Sequence, residues 1–505
     1  MATATWYSDG NHDWDATNAW NSQADGGGTA GNPDTTDDHA IIQNGDTVTL
    51  TGDETTGSLF VDDTGTIVGG DNTLSLKGSS DDNFFRWDGT ISGDLNIKIL
   101  SGDNKYIKDN GGTGDIKNLT IEHDSTGNST YLASALTLTA LFINAGGLNT
   151  NSSNDYDLTV TNNTTINGQS AGTEVARLSL NGSTALLGSN NTSGGINVNN
   201  GAGFYADADS TVTMGYLDAN YDGSNEVKLL GTNTINSYSA TTDRILKITS
   251  GVIDAAGTSI TITTATTGKT ISLFDNTFEN LTLTPASATT YNMVSSGINI
   301  GGNLTINANA TLDTTTNNYP LTVDGDVDIT GTLTCNASAV SFGSLKCQGS
   351  STLTATSGTT TITSENSSGQ AIIMNNSMTF NNSDGTFLIT TPAATNIYFK
   401  SDNALHHLTI NHSSADIVLA GNPDDLKCEG DLTITAGTLQ STTSGATLEV
   451  DGDASVTGTL NWSGTSGGAV ELGSLTIESG GTYTATAGTT TITSMTSTGS
   501  GDRSL

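Results

Sequence analysis

One segment of the chain concentrates residue types that recognise or cleave carbohydrates. Residues 204 to 226 read FYADADSTVTMGYLDANYDGSNE and place three tyrosines among five carboxylates. Aromatic rings stack on sugar rings, and two carboxylates about 5 to 10 Å apart can hydrolyse a glycosidic bond. The segment therefore predicts a glycan-binding patch, with a solvated loop excursion as the simpler alternative. The candidate residues are Tyr205, Asp207, Asp209, Tyr216, Asp218, Tyr221 and Asp222, with Glu226 beside them.

Catalytic motifs of other kinds are missing from the sequence. It contains no G-x-S-x-G, no H-E-x-x-H and no phosphate-binding loop with its lysine. We therefore expect a protein that is not an enzyme.

Three of the five tryptophans, Trp6, Trp14 and Trp20, lie close to the N-terminus. They could cover the open end of a stack of strands, which would otherwise expose apolar surface and an unpaired edge. Tryptophan also dominates interface hot spots. This region is therefore predicted to be a cap or an attachment site.

Two further clusters were considered as metal sites. His406, His407 and His412 form the histidine cluster, but neighbouring residues on a strand point to opposite faces, so we expect a solvated surface. Asp-Gly-Asp at 324–326 recurs at 451–453 and could bind Ca²⁺, but the G-G-x-G-x-D repeat of calcium-binding β-rolls is absent. A structural turn, in which glycine supplies a positive φ, is the preferred interpretation, and we expect no cofactor.

The cysteines and the first residues bear on the compartment. Cys335, Cys347 and Cys428 form neither a disulfide framework nor a zinc pattern, and each aligns with an apolar residue in another copy of the internal repeat. We expect them to be buried. The first twenty residues show no secretory signal, and no apolar run is long enough to span a membrane. Folding in a reducing cytosol is expected.

The charge balance argues against nucleic-acid binding. The 505 residues include 52 Asp and Glu but only 15 Lys and Arg, which gives a net charge of −37. A protein that follows a phosphate backbone needs a basic surface. Gly, Thr, Ser and Asn dominate instead, which favours many short strands joined by turns.

Internal repeats organise the chain. LTVDGDVDITGTL at 321–333 returns as LEVDGDASVTGTL at 448–460, a shift of 127 residues, and a fainter third copy precedes them. The first copy contains an insertion of about 35 residues between 165 and 230. The predicted regions are an N-terminal cap or attachment region 1–75, copies at 76–235, 236–362 and 363–492, and a tail 493–505.

Within each copy, short alternating segments such as NLTINANATL recur about every 21 residues. Alternation with period two indicates strands that bury one face. We predict an all-β parallel β-solenoid (β-helix) of about 19 coils, with tandem β-sandwiches as the alternative.

The stretch GSLTIESGGTYTATAGTTTITS at 473–494, its copy at 343–364, and the opening W-x7-W-x5-W resemble strand-repeat β-solenoid proteins of tailed-phage virions and of bacterial surface adhesins. The resemblance implies a virion fibre, spike or surface projection that contacts the host or its glycans. It also implies other virion proteins as partners of the N-terminal region and a homo-oligomer, with a trimer favoured.

Two alternatives stay open. The first is an exported bacterial adhesin or filament subunit at the cell surface. The second is a polysaccharide-degrading tailspike, which would need paired carboxylates in a groove beside the insertion.

Overall fold

The computed structural model describes residues 4–34, 36–78, 84–124, 127–150, 153–168, 176–220, 226–249, 252–253, 257–274, 276–315, 317–375, 377–399, 403–420, 425–441, 443–464 and 468–498. These residues fold as a parallel β-solenoid of about 19 turns, as the alternating sequence pattern predicts, and the tandem-sandwich alternative is excluded. The chain divides into two compact units, residues 1–260 and 261–505.

Unit 1 contains thirty strands, all of them short, as expected from closely spaced turn residues. They are β1 Thr5–Ser8, β2 His12–Asp13, β3 Trp20–Asn21, β4 Ala30–Gly31, β5 His39–Ile42, β6 Thr47–Thr49, β7 Glu54–Thr56, β8 Ser58–Val61, β9 Thr66–Val68, β10 Thr73–Leu76, β11 Phe85–Trp87, β12 Thr90–Ser92, β13 Asn96–Ile99, β14 Lys105–Asp109, β15 Ile116–Glu122, β16 Ser129–Leu132, β17 Leu136–Ala145, β18 Gly147–Asn149, β19 Leu158–Val160, β20 Asn163–Asn167, β21 Arg177–Leu180, β22 Thr184–Leu187, β23 Gly195–Asn199, β24 Gly203–Ala206, β25 Thr211–Met214, β26 Leu217–Asn220, β27 Glu226–Leu229, β28 Thr232–Ile235, β29 Arg244–Ile248 and β30 Val252–Ile253.

Strand β31, Ser259–Ile262, contains the boundary between the units. Unit 2 then contains β32 Lys269–Ser272, β33 Thr277–Phe278, β34 Asn280–Leu283, β35 Thr289–Met293, β36 Ile298–Ile300, β37 Leu304–Ile306, β38 Ala310–Asp313, β39 Leu321–Ile329, β40 Thr332–Thr334, β41 Val340–Cys347, β42 Thr352–Thr354, β43 Thr359–Ile362, β44 Gln370–Met374, β45 Thr379–Asn381, β46 Thr386–Ile389, β47 Thr395–Phe399, β48 Ala404–Leu405, β49 His407–Leu419, β50 Asp425–Cys428, β51 Leu432–Ser441, β52 Thr447–Val456, β53 Thr459–Asn461, β54 Ala469–Ile477, β55 Thr482–Thr484 and β56 Thr489–Ser497.

Most coils of unit 1 contribute one strand to each of three faces. Face A is the parallel ladder β5-β8-β11-β14-β16-β18-β21-β24-β27-β30. Face B begins with β2-β6-β9-β12 and later contains β19-β22-β25-β28. Face C runs from β7 and β10 through β13, β15, β17, β20, β23 and β26 to β29. Parallel stacking therefore begins at His39, within the region that the sequence assigned to the N-terminal cap.

Coil length varies while register is kept. On face A, Thr130 pairs with Leu148, 18 residues later, and Leu148 pairs with Leu178, 30 residues later. The extra residues lie in the turns, because each strand must stay in register to satisfy its backbone hydrogen bonds with the coils on either side.

Unit 2 is built in the same way, and its longer strands pass through a bend and serve two faces. In β39, the pairing with β41 shifts register between Val323 and Asp326, so the two halves of the strand belong to different faces. Inward columns are apolar; one contains Leu304, Val327 and Leu345, each at most 1 % exposed. Burying each such side chain contributes about 1.5–3 kcal/mol.

The Asp-Gly-Asp segments are structural, but the expected reason was wrong. Neither Gly325 nor Gly452 has a positive φ. A Cβ on Gly325 would lie 2.6 Å from the carbonyl oxygen of Gly302 in the coil before, and one on Gly452 would lie 2.7 Å from that of Gly430. Close approach of coils at the bend therefore requires glycine there.

An asparagine ladder also crosses face C. Asn167 Nδ2 donates to Asn144 Oδ1 (3.0 Å), Asn199 to Asn167 (3.0 Å) and Asn220 to Asn199 (3.5 Å). Stacked amides of this kind satisfy one another and hold successive coils together.

His123 is a buried ionisable group at a corner of unit 1. Its Nδ1 donates to the carbonyl of Ser101 (2.6 Å), so in the neutral ring Nε2 accepts from the Thr130 hydroxyl (3.1 Å). Burial lowers the pKa of His123 below its usual value of 6.5, and the nearby Lys105 acts in the same direction. Because the unfolded chain takes up the proton first, lowering the pH from about 6.5 is expected to destabilise unit 1.

This expectation can be checked with His123→Gln. At pH 7.5 the variant should unfold at lower urea concentration than the wild type, because it loses ring packing. The difference between the two midpoints should narrow at pH 5, where the wild type bears the cost of protonating a buried ring. A difference that is the same at both pH values would contradict a buried neutral His123.

Candidate functional site

Tyr205 forms the centre of a shallow site on face A of unit 1. Its neighbours Phe204 and Ala206 point into the core and are at most 1 % exposed, so alternation places the half-buried Tyr205 outward. A Cβ on Gly203 would lie 2.5 Å from Cε2 of the Tyr205 ring. The ring therefore lies across Gly203, the one residue type that leaves room for it.

The neighbouring coils supply the charged and polar rim. Arg177 is paired in register with Gly203, beneath the ring, while Ser179 precedes and Lys228 follows Tyr205 in its own column. A cavity of about 280 Å³ is formed there. Its lining includes Arg177, Ser179, Asn181, Tyr205, Asp207 and Lys228.

The Tyr205 hydroxyl is anchored on the next coil. It donates to Glu226 Oε2 at 2.7 Å, and partial burial together with this carboxylate raises the pKa of Tyr205 to about 12. The ring is therefore neutral at physiological pH and held in one orientation. A fixed ring above a backbone, with hydrogen-bonding groups around it, is suited to stacking against a sugar.

Asp207 lies at the corner next to Tyr205 and has a structural role as well. Its Oδ1 accepts from the Gly182 backbone N–H and from the Ser210 hydroxyl, both at 2.8 Å. Asp209 is exposed in the turn that follows. Of the sequence-predicted set, Tyr205 and Asp207 thus share one cavity.

Tyr216 and Asp218 lie on face C, away from this cavity. The Tyr216 ring is 6 % exposed and packs on Gly195, and its hydroxyl lies between Asn163 (3.0 Å) and Asn197 (3.1 Å). The Asp218 carboxylate, also 6 % exposed, is ion-paired with Arg244 (3.1 Å) and Lys247 (3.3 Å). Neither residue presents the free surface that stacking or sugar hydrogen bonding needs.

The remaining candidates divide in the same way. Glu226 joins the Tyr205 cavity, whereas Tyr221 and Asp222 lie outside the described residues. The described residues between 176 and 235 form regular coils, so the expectation of a loop excursion there was wrong. The insertion lengthens the stack, and it places Tyr205 between Ser179 and Lys228.

Face A carries a feature that the sequence did not reveal. Register alignment puts Tyr106, Tyr131, Asn149, Ser179, Tyr205 and Lys228 in one outward column. The rings of Tyr106 and Tyr131 are stacked with centroids 5.5 Å apart. The signal for this column was the alternation around each residue, but unequal coil lengths conceal which residues align.

The N-terminal tryptophans have different environments. Trp14 and Trp20 are at most 2 % exposed, their rings meet edge to face with centroids 5.0 Å apart, and Trp20 Nε1 donates to the Trp14 carbonyl (2.9 Å). Trp6 is half-buried and lies over Gly31. Strand β3 pairs antiparallel with β1 and β4, which ends the parallel ladder of face A. Attachment through these residues stays a prediction.

The histidine cluster differs from the expectation. The rings of His406 and His407 are both half-buried and meet edge to face at 4.3 Å, because the chain bends between β48 and β49. His412 is 1 % exposed. The expected opposite orientation of the neighbouring pair and the expected solvation of the whole cluster were therefore wrong.

The cysteines are buried, as their alignment with apolar residues predicts. Each of Cys335, Cys347 and Cys428 is at most 1 % exposed. Burial raises the pKa of Cys335 and of Cys428 to about 12, so their thiols stay protonated.

Within the residues that the structure describes, no three His, Cys, Asp or Glu side chains are grouped so that they could hold a metal ion. The same residues include no helix long and apolar enough to cross a membrane. Comparison with family models, with curated proteins and with solved structures finds no match for the chain. The fold and the site therefore define the class, a parallel β-solenoid with an aromatic-centred cavity on one face.

Proposed function

We propose that the chain is a non-enzymatic virion structural protein, a phage fibre, spike or surface projection whose solenoid attaches to host glycans through face A. The observation that supports this most is the Tyr205 ring, fixed across Gly203 by Glu226 and surrounded by Arg177 and Lys228. Aromatic platforms with adaptable polar rims favour sugars, which offer an apolar ring face and hydroxyls at the edge.

The carboxylates of this site support binding rather than hydrolysis. Asp207 accepts hydrogen bonds from Gly182 and Ser210, and Glu226 accepts one from Tyr205. A glycosidase needs one carboxyl group as acid and a second as base or nucleophile on the other side of the sugar. Here the two carboxylates are used to hold the turn and the ring.

A panel of bacterial surface polysaccharides, titrated into wild-type protein and Tyr205→Ala by calorimetry, tests this proposal. Loss of the ring should weaken binding about tenfold, which corresponds to about 1.4 kcal/mol and matches the contribution of one aromatic contact. Tyr398→Ala is the matched control, because Tyr398 is also half-buried on a strand but belongs to unit 2.

Three results would count against the proposal. They are binding by no polysaccharide, equal weakening by Tyr205→Ala and Tyr398→Ala, and release of reducing ends from a bound polysaccharide. The last would favour the polysaccharide-degrading tailspike instead. Gold-labelled antibody on purified particles tests the location at the virion surface, and labelling of bacterial surfaces without particles would favour an adhesin. The mass of the purified protein tests the homotrimer.

A further inference from the structure

We propose that the ligand of face A is an acidic polysaccharide that lies along the axis of unit 1 and spans several coils from Tyr106 to Lys228. This inference rests on the proposed glycan attachment and adds to it the chemical class and the direction of the ligand. Three observations carry it: the sign of the charges on this face, the straight column of ligand-binding side chains, and the placement of two cations around Tyr205.

The charge on this part of face A is opposite to that of the chain. The chain contains 52 acidic and 15 basic residues. On strands β14 to β27 of face A, the outward charged side chains are Lys108, Arg177, Glu226 and Lys228, three cations and one carboxylate. The carboxylate is hydrogen-bonded to the Tyr205 hydroxyl. An anionic polymer is thus attracted here, while the acidic remainder of the chain repels it.

The column has the geometry of an extended site. Successive coils are about 4.8 Å apart, so the three steps from Tyr131 to Tyr205 span about 14 Å and the five from Tyr106 to Lys228 about 24 Å. Between the rings lie Asn149 and Ser179, whose amide and hydroxyl groups suit sugar hydroxyls. A linear glycan along this line meets hydrogen-bonding groups, then the Tyr205 ring, then a cation.

Two cations flank the central ring. Arg177 lies one coil before Gly203, on which the ring rests, and its charge acts on the Tyr205 hydroxyl. Lys228 follows Tyr205 in the same column, one coil further on. A sugar stacked on the ring would have both cations within reach of a carboxylate substituent. Arginine in particular binds carboxylates through two parallel hydrogen bonds.

The spacing of the cations favours a sparsely charged polymer. Three cations over about 24 Å match a polysaccharide with a carboxylate on some of its sugars better than a nucleic acid with a phosphate at every residue. Single-stranded nucleic acid, which also stacks on aromatic rings, is therefore an outcome of the test and not the expected ligand.

Each acidic polymer is compared with its own methyl ester, which has the same backbone without the charge. The probes are polygalacturonate, alginate and hyaluronate, their methyl esters, and poly(dT), titrated at low salt. At least one acid form should bind more tightly than its ester. Arg177→Gln/Lys228→Gln should reduce the affinity for that acid form about threefold to tenfold and leave the ester unchanged, because each exposed charge pair contributes up to about 1 kcal/mol. Tyr205→Ala should weaken both forms.

Lys346→Gln/Lys427→Gln is the control, since it removes the same charge from strands of unit 2 and should leave both affinities unchanged. Circular dichroism checks that each variant is folded. Equal binding of acid and ester would overturn the charge selection but leave glycan attachment standing. Binding of neither form of any polymer would overturn both proposals. Tighter binding of poly(dT) than of every acidic polysaccharide would overturn the assignment of ligand class.

Discussion

Leu333→Asp is expected to destabilise unit 2 by more than about 4 kcal/mol. Leu333 is fully buried and lies in register between Leu312 and Leu353 of the adjacent coils, so a carboxylate there has apolar neighbours above and below. An unpaired buried charge together with the lost apolar packing is among the most destabilising single changes known in proteins. Urea unfolding followed by circular dichroism measures the effect.

Thr332→Asp provides the control for this prediction. Thr332 is the preceding residue of the same strand, is half-buried, and lies in register between Thr311 and Thr352 on the outer surface. The same carboxylate should cost less than about 1 kcal/mol there, because water solvates it. Similar losses at both positions would contradict the inward and outward assignment of this strand.

Trp20→Ala is expected to cost about 3–5 kcal/mol and to open the N-terminal end of unit 1. The indole is fully buried, contacts Trp14 edge to face and donates to its carbonyl oxygen. Its removal leaves a large cavity where β3 covers β1. Hydrogen exchange should accelerate in β1, β5 and β8, the first parallel strands of face A, and remain slow in unit 2.

Trp20→Phe separates packing from the cap as a whole. Phenylalanine keeps an aromatic contact with Trp14 but loses the indole donor, so a smaller loss and nearly normal exchange in β5 are expected. If Trp20→Ala leaves exchange in β1 and β5 unchanged, the tryptophan pair does not protect this end of the ladder.

The fold could be predicted because its cause is local. Segments such as Leu304–Ile306 show the alternation of a half-buried strand, and repeated short alternating segments in a chain rich in turn residues indicate stacked coils. The burial of the three cysteines followed from their alignment with apolar residues in other copies.

The site could be predicted only in part, because it depends on register between distant coils. Tyr205 and Asp207 are neighbours in sequence and share a cavity, but Arg177 and Lys228 reach it through pairings 26 and 23 residues away, counted from Gly203 to Arg177 and from Tyr205 to Lys228. Tyr216 is close to Tyr205 in sequence, yet it packs on Gly195 at another face. Turn lengths decide such alignments, and no periodicity reveals them.

Local geometry also differed from general rules where coils meet. The bend at His406 turns two neighbouring rings to the same side, although alternation would separate them. Gly325 is required by the approach of the preceding coil and not by its own φ. Both features arise from contacts about one coil away in sequence.

The most direct test of the central claim is the structure of the protein bound to an oligosaccharide prepared from the polysaccharide that binds it best. The account predicts a glycan chain on face A of unit 1, with one sugar against the Tyr205 ring, a carboxylate near Arg177 or Lys228, and further sugars along the column toward Tyr131. A glycan on face B or face C, at the tryptophan cap, or on unit 2 would contradict it.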